Sequence, residues 1–140
     1  MSQIYEFFIL NKSGQCLFYE DFVANTTIEK FKEDKQERGR LKNINGIAEG
    51  LKIFAKNLGM ISGNKLRSFI TQKYKYNFFE SASGLKFIIL SSETAKDLSE
   101  TLSYLYTDVY IEYVNRNPLY VKDTIIEIPA FRDKVKEVFK

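Results

Sequence analysis

A chain of 140 residues that is 44% hydrophobic and 15% aromatic is long and apolar enough to fold as one domain, residues 1–140, and is not a disordered polypeptide. Its formal net charge of +3 is small and its basic residues are interspersed with acidic ones, which argues against a nucleic-acid-binding protein. The single cysteine, Cys16, excludes an internal disulfide and indicates a reducing compartment, and no apolar run approaches the roughly 20 residues of a membrane span. The N-terminus lacks the basic start of a signal peptide, so we expect a soluble, cytosolic protein.

The first part of the chain predicts a β-hairpin followed by a helix. Ile4–Leu10 and Gln15–Glu20 are rich in aromatic and branched residues, and the turn Asn11–Gly14 joins them. The charged segment Glu29–Arg40 is typical of a solvated loop or a frayed helical turn; the alternative is a segment that becomes ordered on a partner. Apolar residues at helical spacing then predict a helix over Leu41–Leu58.

This first helix has a wider apolar face than one sheet requires. Ile53 and Phe54 lie off its main apolar stripe and widen the face that it can bury. Gly46 and Gly50 lie four residues apart inside it, and each costs about 1 kcal/mol relative to alanine. Small residues in a helix usually permit close backbone approach, here by the sheet or by another chain.

Three further strands are predicted at Leu66–Thr71, Lys73–Glu80 and Leu85–Ser91. In the second of these, Lys75 and Asn77 alternate with aromatic residues, which predicts one solvent-facing side. The third is apolar on both sides and therefore predicts a central strand.

Two helices complete the predicted fold. Glu93–Asn117 carries two apolar stripes, which predicts burial on more than one side, and a last amphipathic helix begins at Ile128-Pro129. The element order is β-β-α-β-β-β-α-α. It predicts an α+β fold with a five-stranded antiparallel sheet and helices on both faces.

The residue types needed for catalysis are mostly missing. The chain has no histidine, so a catalytic triad, a thiol–histidine pair and the usual structural zinc site are excluded, and Cys16 is predicted to be a small core residue. Gly59–Lys65 departs from the phosphate-binding loop in its spacing and lacks the Ser or Thr that follows the lysine, so we expect no GTP binding. We therefore predict a protein that is not an enzyme and has no cofactor or metal.

The remaining acidic residues are interpreted as surface groups. Four carboxylates near strands are predicted to be solvated and not to converge: Glu6, Glu20, Asp21 and Glu80. Glu112 is explained by an i,i+4 pair with Arg116, and an interface role is the alternative.

Two segments carry a resemblance to a known family. They are YKYNFFESASGLKF (Tyr74–Phe87) and YTDVYIEYVNRNPL (Tyr106–Leu119). Together with the hairpin NKSGQCLFY and the element order, they resemble the longin-like small subunits of the TRAPP vesicle-tethering complex, and among these the group closest to a bare longin-type domain. The resemblance covers nearly the whole chain.

The resemblance implies a longin-like fold and a non-catalytic subunit in the cytoplasm, peripheral to endoplasmic reticulum and cis-Golgi membranes. It implies partners as well: a synbindin-like longin subunit, a subunit of the other TRAPP fold class and, through the assembled complex, an early-secretory Rab GTPase whose nucleotide exchange the complex promotes. The alternative is a cargo-recognition subunit, such as a clathrin-adaptor small subunit or another longin adaptor, which requires a peptide groove.

The paired-longin arrangement of the family leads to an interface hypothesis. We predict that the helix Leu41–Leu58 and the strand Leu66–Thr71 form the contact with the second longin subunit, and that the isolated chain exposes an apolar patch or covers it by homodimerising. The predicted interface residues are Leu51, Phe54, Leu58, Phe69, Tyr106, Tyr110 and Glu112.

Overall fold

An antiparallel sheet forms the centre of the fold. The computed structural model describes residues 4–23, 35–57, 68–70, 74–94 and 98–139. The strands are β1 (Ile4–Leu10), β2 (Cys16–Asp21), β3 (Ser68–Ile70), β4 (Lys75–Glu80) and β5 (Lys86–Ser91). Their order across the sheet is β2-β1-β5-β4-β3; four strands of six or seven residues form its body, and the three-residue β3 lies at the β4 edge. The predicted α+β class with an antiparallel sheet is confirmed.

The helices lie on both sides of this sheet. Helix α1 spans Lys35–Asn57, α2 spans Ser99–Tyr104 and continues directly into a π-helical segment at Leu105–Asn115, and α3 spans Pro129–Val138 with its proline in the first turn, as predicted. Helix α1 begins at Lys35, so the last six residues of the charged stretch Glu29–Arg40 are helical and not a loop, which agrees with the helical alternative of the prediction; residues 29–34 lie outside the described residues.

Two hairpin turns with the same hydrogen-bond pattern connect β1 to β2 and β4 to β5. In the first turn, Asn11 N–H donates to Gln15 O (2.9 Å) and Gly14 N–H donates to Asn11 O (2.9 Å). In the second turn, Ser81 N–H donates to Leu85 O (2.9 Å) and Gly84 N–H donates to Ser81 O (3.0 Å). The third loop residue is a glycine with φ of +88° in one turn and +93° in the other. A turn of this kind needs a left-handed residue at that position, so the Ser-Gly pair fixes each hairpin locally.

Each face of the sheet has its own apolar core. On the first face, β1 and β5 pack with β2, α2, the π segment and α3, and the fully buried side chains include Phe7, Phe87 and Phe131. On the second face, Phe8, Leu10, Ile88 and Leu90 pack beneath α1. All six residues of β5 are buried, which confirms the prediction of a central strand.

The predicted solvent-facing side of β4 is wrong at Asn77. This side chain is only 2% exposed, because α2 packs against β4, and its amide donates to Ile89 O (3.1 Å) and Ser91 Oγ (3.0 Å). A buried amide is tolerated when its hydrogen-bonding groups are paired in this way. The aromatic side chains of the opposite side, Tyr74, Tyr76 and Phe78, are only half-buried.

The π segment brings both predicted apolar stripes of the second long helix to one core. Helical structure begins at Ser99, later than the predicted Glu93, since Glu93 and Thr94 form a turn. Near the end of the segment, Arg116 N–H donates to Ile111 O (3.0 Å), five residues earlier. This wider winding buries Leu105, Val109, Tyr110 and Val114 together against the sheet and α3.

We predict that replacing Gly14 with alanine lowers the free energy of unfolding by about 2–3 kcal/mol, measured by urea denaturation. The left-handed conformation costs a Cβ-bearing residue about 1–2 kcal/mol, and the new Cβ atom would lie 2.6 Å from Nδ2 of Asn45 in α1. Gly46→Ala is the matched control: it adds a Cβ atom to open space in a helix and should raise stability by about 1 kcal/mol. A neutral Gly14→Ala variant would contradict this account of the turn.

Candidate interaction surface

Three apolar side chains of the first half of α1, residues 35–50, pack on the second face of the sheet. Ile44 is its fully buried anchor, with Leu41 and Ala48 partly buried beside it, all three from the predicted stripe. Burying one such side chain contributes about 1.5–3 kcal/mol. Directional polar contacts accompany this packing and fix the position of residues 40–49 of α1 over the sheet.

The strongest of these contacts is an ion pair between α1 and β1. Arg40 approaches Glu6 with two nitrogens, Nη1 to Oε1 at 3.0 Å and Nη2 to Oε2 at 2.6 Å, and also donates to Glu37. The guanidinium carbon lies 5.9 Å from the ring centre of Phe8, within the range of a cation–π contact. Burial opposes the charged form, but the hydrogen bonds and charges of Glu6 and Glu37 hold the pKa of Arg40 above its ordinary value.

Tyr19 of β2 joins the same cluster. Its hydroxyl donates to Oε2 of Glu6 and lies 3.5 Å from Oδ2 of Asp21. Burial, the hydrogen bond to Glu6 and the nearby carboxylates raise the pKa of Tyr19, so the phenol stays a neutral donor. The prediction that Glu6 and Asp21 are solvated and apart is wrong, because the register pairs Glu6 with Asp21 and places both beneath α1. The sequence feature that could have indicated a buried acid is Glu6 itself, which lies inside the apolar strand Ile4–Leu10.

A second polar contact anchors the middle of α1. Lys86 of β5 is only 3% exposed; its Nζ donates to Oε1 of Glu49 at 2.5 Å and to Oδ1 of Asn45 at 3.1 Å. A buried ammonium group needs such partners, because desolvation without them costs more than any packing gain. This residue fixes a central turn of α1 over β5, and sequence reasoning missed it.

The first face has its own long-range ion pair. Glu20 of β2 is 1% exposed and accepts from Nε of Arg132 in α3 at 2.7 Å. The prediction of a solvated acid is wrong at Glu20 too. Among the residues that the structure describes, no buried side-chain nitrogen or oxygen lacks a hydrogen-bond partner, and no group of three or more acidic or thiol side chains is placed to hold a metal ion.

On its outer side, α1 carries glycines that no described residue packs against. A Cβ atom added at Gly39, Gly46 or Gly50 would meet no atom within 4 Å, so neither the sheet nor another described part of the chain uses these glycines for close approach. Ile53, three residues after Gly50, is 59% exposed. Small residues at four- and three-residue steps beside an exposed branched side chain form a shallow surface that another backbone can approach closely. We call these four residues the α1 outer face.

A row of half-buried aromatic side chains lies on the α1 side of the sheet near its β3 edge. Tyr74 contacts Tyr5 edge-on at 5.7 Å between ring centres and stacks on Tyr76 at 6.4 Å, and Tyr76 contacts Phe78 at 6.3 Å. Burial raises the pKa of Tyr76. The β3 strand pairs with β4 on one side only within the described sheet, which confirms its predicted edge position. A sheet edge beside half-buried aromatic side chains is suited to contact with another protein.

The predicted interface residues lie in three places. Leu51 and Phe54 belong to the last turns of α1, Phe69 is the β3 residue in register with Tyr76, and Leu58 lies outside the described residues, as does the segment 59–65.

The other three predicted interface residues lie in the π segment. Tyr106 is half-buried and stacks on Tyr110 at 6.0 Å, and Tyr110 is buried in the first core, where burial raises its pKa to about 12. Glu112 is exposed and accepts from Nη1 of Arg116 at 3.2 Å, the predicted i,i+4 pair. Tyr106 and Tyr110 therefore serve the fold, and in this chain Glu112 makes only a solvent-exposed pair of small energetic value.

Cys16 behaves as a protected thiol. It packs partly against the second core, its Sγ donates to Phe18 O at 3.3 Å, and burial raises its pKa to about 12. The thiolate needed for nucleophilic chemistry is therefore scarce at neutral pH.

Comparison with known proteins identifies the family. The model of the Sybindin-like family matches residues 4–140. The chain belongs to the Sybindin-like family. It is 30% identical to trafficking protein particle complex subunit 1 of Dictyostelium discoideum, over 98% of this chain and 94% of that protein. It is also 30% identical to trafficking protein particle complex subunit BET5 of Saccharomyces cerevisiae, over 83% of this chain and 74% of that protein.

A further relative shows how wide the family is. The chain is 28% identical to trafficking protein particle complex subunit 4 of Dictyostelium discoideum, over 94% of this chain and 92% of that protein. The resemblance to longin-like TRAPP small subunits, and to the subunit 1 type among them, is confirmed. Within the described residues, none of the helices combines the length and the apolar composition that crossing a membrane would take.

We predict that Arg40→Met lowers the free energy of unfolding by about 3 kcal/mol, because it leaves the buried Glu6 carboxylate without its cation. The double variant Glu6→Gln/Arg40→Met should lose less than the sum of its two single variants, with a coupling of about 1–3 kcal/mol in urea denaturation. Arg116→Met, which breaks an exposed pair, is the control and should change stability by less than about 0.5 kcal/mol. Strict additivity of the Glu6 and Arg40 effects would contradict a shared cluster.

Proposed function

We propose that this chain is a non-catalytic core subunit of a TRAPP-type tethering complex in vesicle transport between the endoplasmic reticulum and the Golgi. In this role it supports guanine-nucleotide exchange on an early-secretory Rab GTPase as part of an assembled surface and works from the cytoplasm, peripheral to those membranes. Two kinds of support exist: full-length relatives are named as subunits of the trafficking protein particle complex, and the α1 outer face is exposed. The relatives compared above are named as subunits of the trafficking protein particle complex, and they do not support the adaptor alternative.

The observation that carries the proposal is the α1 outer face. Gly46 and Gly50 cost the isolated helix about 1 kcal/mol each, and no described residue of the chain packs against them. A contact with another chain accounts for residues that are unfavourable in the free subunit, because close backbone approach at glycine is gained only in the complex.

We propose that the α1 outer face and β3 contact a second, synbindin-like longin subunit. The ion pairs of Arg40 and Lys86 hold α1 rigidly against the sheet, so its outer face is presented in one orientation. The aromatic row Tyr74–Tyr76–Phe78 lies on the same side of the sheet and supplies side chains of the type that dominate binding energy. We place Leu51, Phe54 and Phe69 in this proposed surface, and Glu112 in the π segment stays a separate interface candidate.

We predict that Gly50→Ala stabilises the isolated chain by about 1 kcal/mol and weakens binding of the longin partner by at least about tenfold, in calorimetric titration with the purified partner. Ile53→Glu and Phe54→Glu should abolish pull-down of the partner, because each would place an unpaired charge in the contact at a cost of several kcal/mol. Val121→Glu is the matched control, since Val121 is a branched residue that is 66% exposed in the loop before α3.

A gain in stability together with a loss of binding cannot come from misfolding, which makes the Gly50 variant the sharper test. Native affinity in the Gly50→Ala, Ile53→Glu and Phe54→Glu variants would refute the proposed contact.

We predict that the isolated chain binds a hydrophobic dye or self-associates in sedimentation, because the α1 outer face carries the exposed Ile53 beside glycines that no described residue packs against. Ile53→Glu should shift a homodimer to monomer, whereas Glu112→Gln should not. A monomer without an apolar patch above about 600 Å² would argue against a large surface of this kind.

A further inference from the structure

Helix α1 carries the net positive charge of this protein. Its 23 residues, Lys35–Asn57, include six basic and two acidic side chains, a formal charge of +4, whereas the whole chain carries +3. The residues outside α1 therefore have a formal charge of −1. Charge that is concentrated on one helix creates a local positive potential, which attracts a partner of opposite charge.

The two acidic residues of α1 are both engaged with cations of the contact between the helix and the sheet. Glu37 accepts from Arg40 at 3.0 Å, and Arg40 also pairs with Glu6 of β1. Glu49 pairs with Nζ of Lys86 in β5 at 2.5 Å. Both acids therefore neutralise cations that hold α1 on the sheet.

The outer side of α1 presents lysines in line with the α1 outer face. Lys35 and Lys42 are exposed and lie seven residues apart, about two helical turns. Gly46 follows four residues later and Ile53 seven residues after that, so all four lie on one side of the helix. Among the described residues, neither lysine has an acidic partner. This line is basic in its first half and apolar at Ile53.

A bilayer fits this line less well than a protein does. A helix that lies in a membrane interface needs a wide apolar face to bury among the lipids. The apolar stripe of α1, formed by Leu41, Ile44 and Ala48, already packs against the sheet, and Ile53 is the one exposed large apolar residue among the described side chains of the helix. A protein surface can match a few separate charges and one apolar side chain.

We infer that the partner surface that contacts α1 is acidic: its carboxylates meet Lys35 and Lys42, and an apolar side chain of the partner covers Ile53. The inference rests on the proposed α1 contact and adds the chemistry of its partner. The charge of α1 selects the partner and accelerates its association. Charges at the rim of an interface act mainly on the association rate, whereas the apolar centre determines how long the complex lasts.

The test measures association and dissociation of the purified longin partner by surface plasmon resonance. Between about 20 and 500 mM salt, we expect the association rate of the wild-type chain to fall at least about tenfold, because salt screens the attraction. The charge reversal Lys35→Glu/Lys42→Glu should slow association at low salt at least about tenfold and leave dissociation nearly unchanged. Circular dichroism should be unchanged, since both side chains are exposed.

The variant Lys122→Glu/Lys136→Glu is the matched control. It changes the net charge by the same amount at two exposed lysines outside α1, and it should slow association less than about threefold. Equal association rates of the α1 reversal variant and the wild type at low salt, or a wild-type rate that does not change with salt, would overturn the inference. If Gly50→Ala still weakens binding in that case, the proposed α1 contact stands and only the acidic partner surface is refuted.

Vesicles that contain about 30% phosphatidylserine are the second probe, because an anionic bilayer also attracts lysines. We expect no binding of the chain to them at about 150 mM salt. Retention on the vesicles that Lys35→Glu/Lys42→Glu abolishes would assign the two lysines to a bilayer and refute a protein partner for them.

Discussion

The ion pair between Arg40 and Glu6 determines how the second face of the sheet is covered. The central strands β1 and β5 are apolar on both sides and need helices on both. On the first face, several large aromatic side chains achieve this by packing that has little directional preference. On the second face, Ile44 is the fully buried apolar anchor among the described side chains of α1, and directional contacts from Glu6 and Lys86 help to set the position of the helix. Buried ion pairs add little net stability, but losing one partner is costly, so they specify one arrangement of the helix.

The polar contacts that position α1 on the sheet explain why the helix can carry glycines on its outer face. A helix that relied on apolar packing alone would need a wide stripe, and exposed glycines would weaken it further. The contacts of Arg40, Asn45 and Glu49 all lie on the sheet side, so these polar contacts do not use the opposite side of α1. The identities of Gly46, Gly50 and Ile53 can then be determined by contact with a partner, as they are for residues at an interface.

The first face shows the opposite arrangement, in which nearly every apolar group is used within the chain. The π segment turns Tyr110 and Val114 onto the same side as Leu105 and Val109, and Tyr106 and Tyr110 pack against Phe87. Such a winding is rare over this length, and here it joins two apolar stripes into one buried surface. The cover ends where the chain crosses from the π segment to α3, and a cleft lined by Phe18 and Ile128 lies beside β2 at that boundary.

The sequence by itself determined the features that depend on neighbouring residues. The order of strands and helices followed from periodicity, the first hairpin from its turn Asn11–Gly14, the central position of β5 from its continuous apolar run, and the family from the segments Tyr74–Phe87 and Tyr106–Leu119. These signals are local, and local backbone preferences and side-chain periods are sufficient to produce them.

Only the tertiary structure decided which charged and polar residues are buried. Glu6 and Arg40 are 34 residues apart in the sequence, and Glu20 and Arg132 are 112 residues apart. No local sequence pattern therefore links each buried acid to the partner that makes its burial possible. Asn77 was predicted to face solvent for the same reason, since alternation shows that a strand has two sides but not which side a later helix will cover. Burial of a polar group depends on its desolvation and on the partner brought to it, and that partner is supplied by the fold.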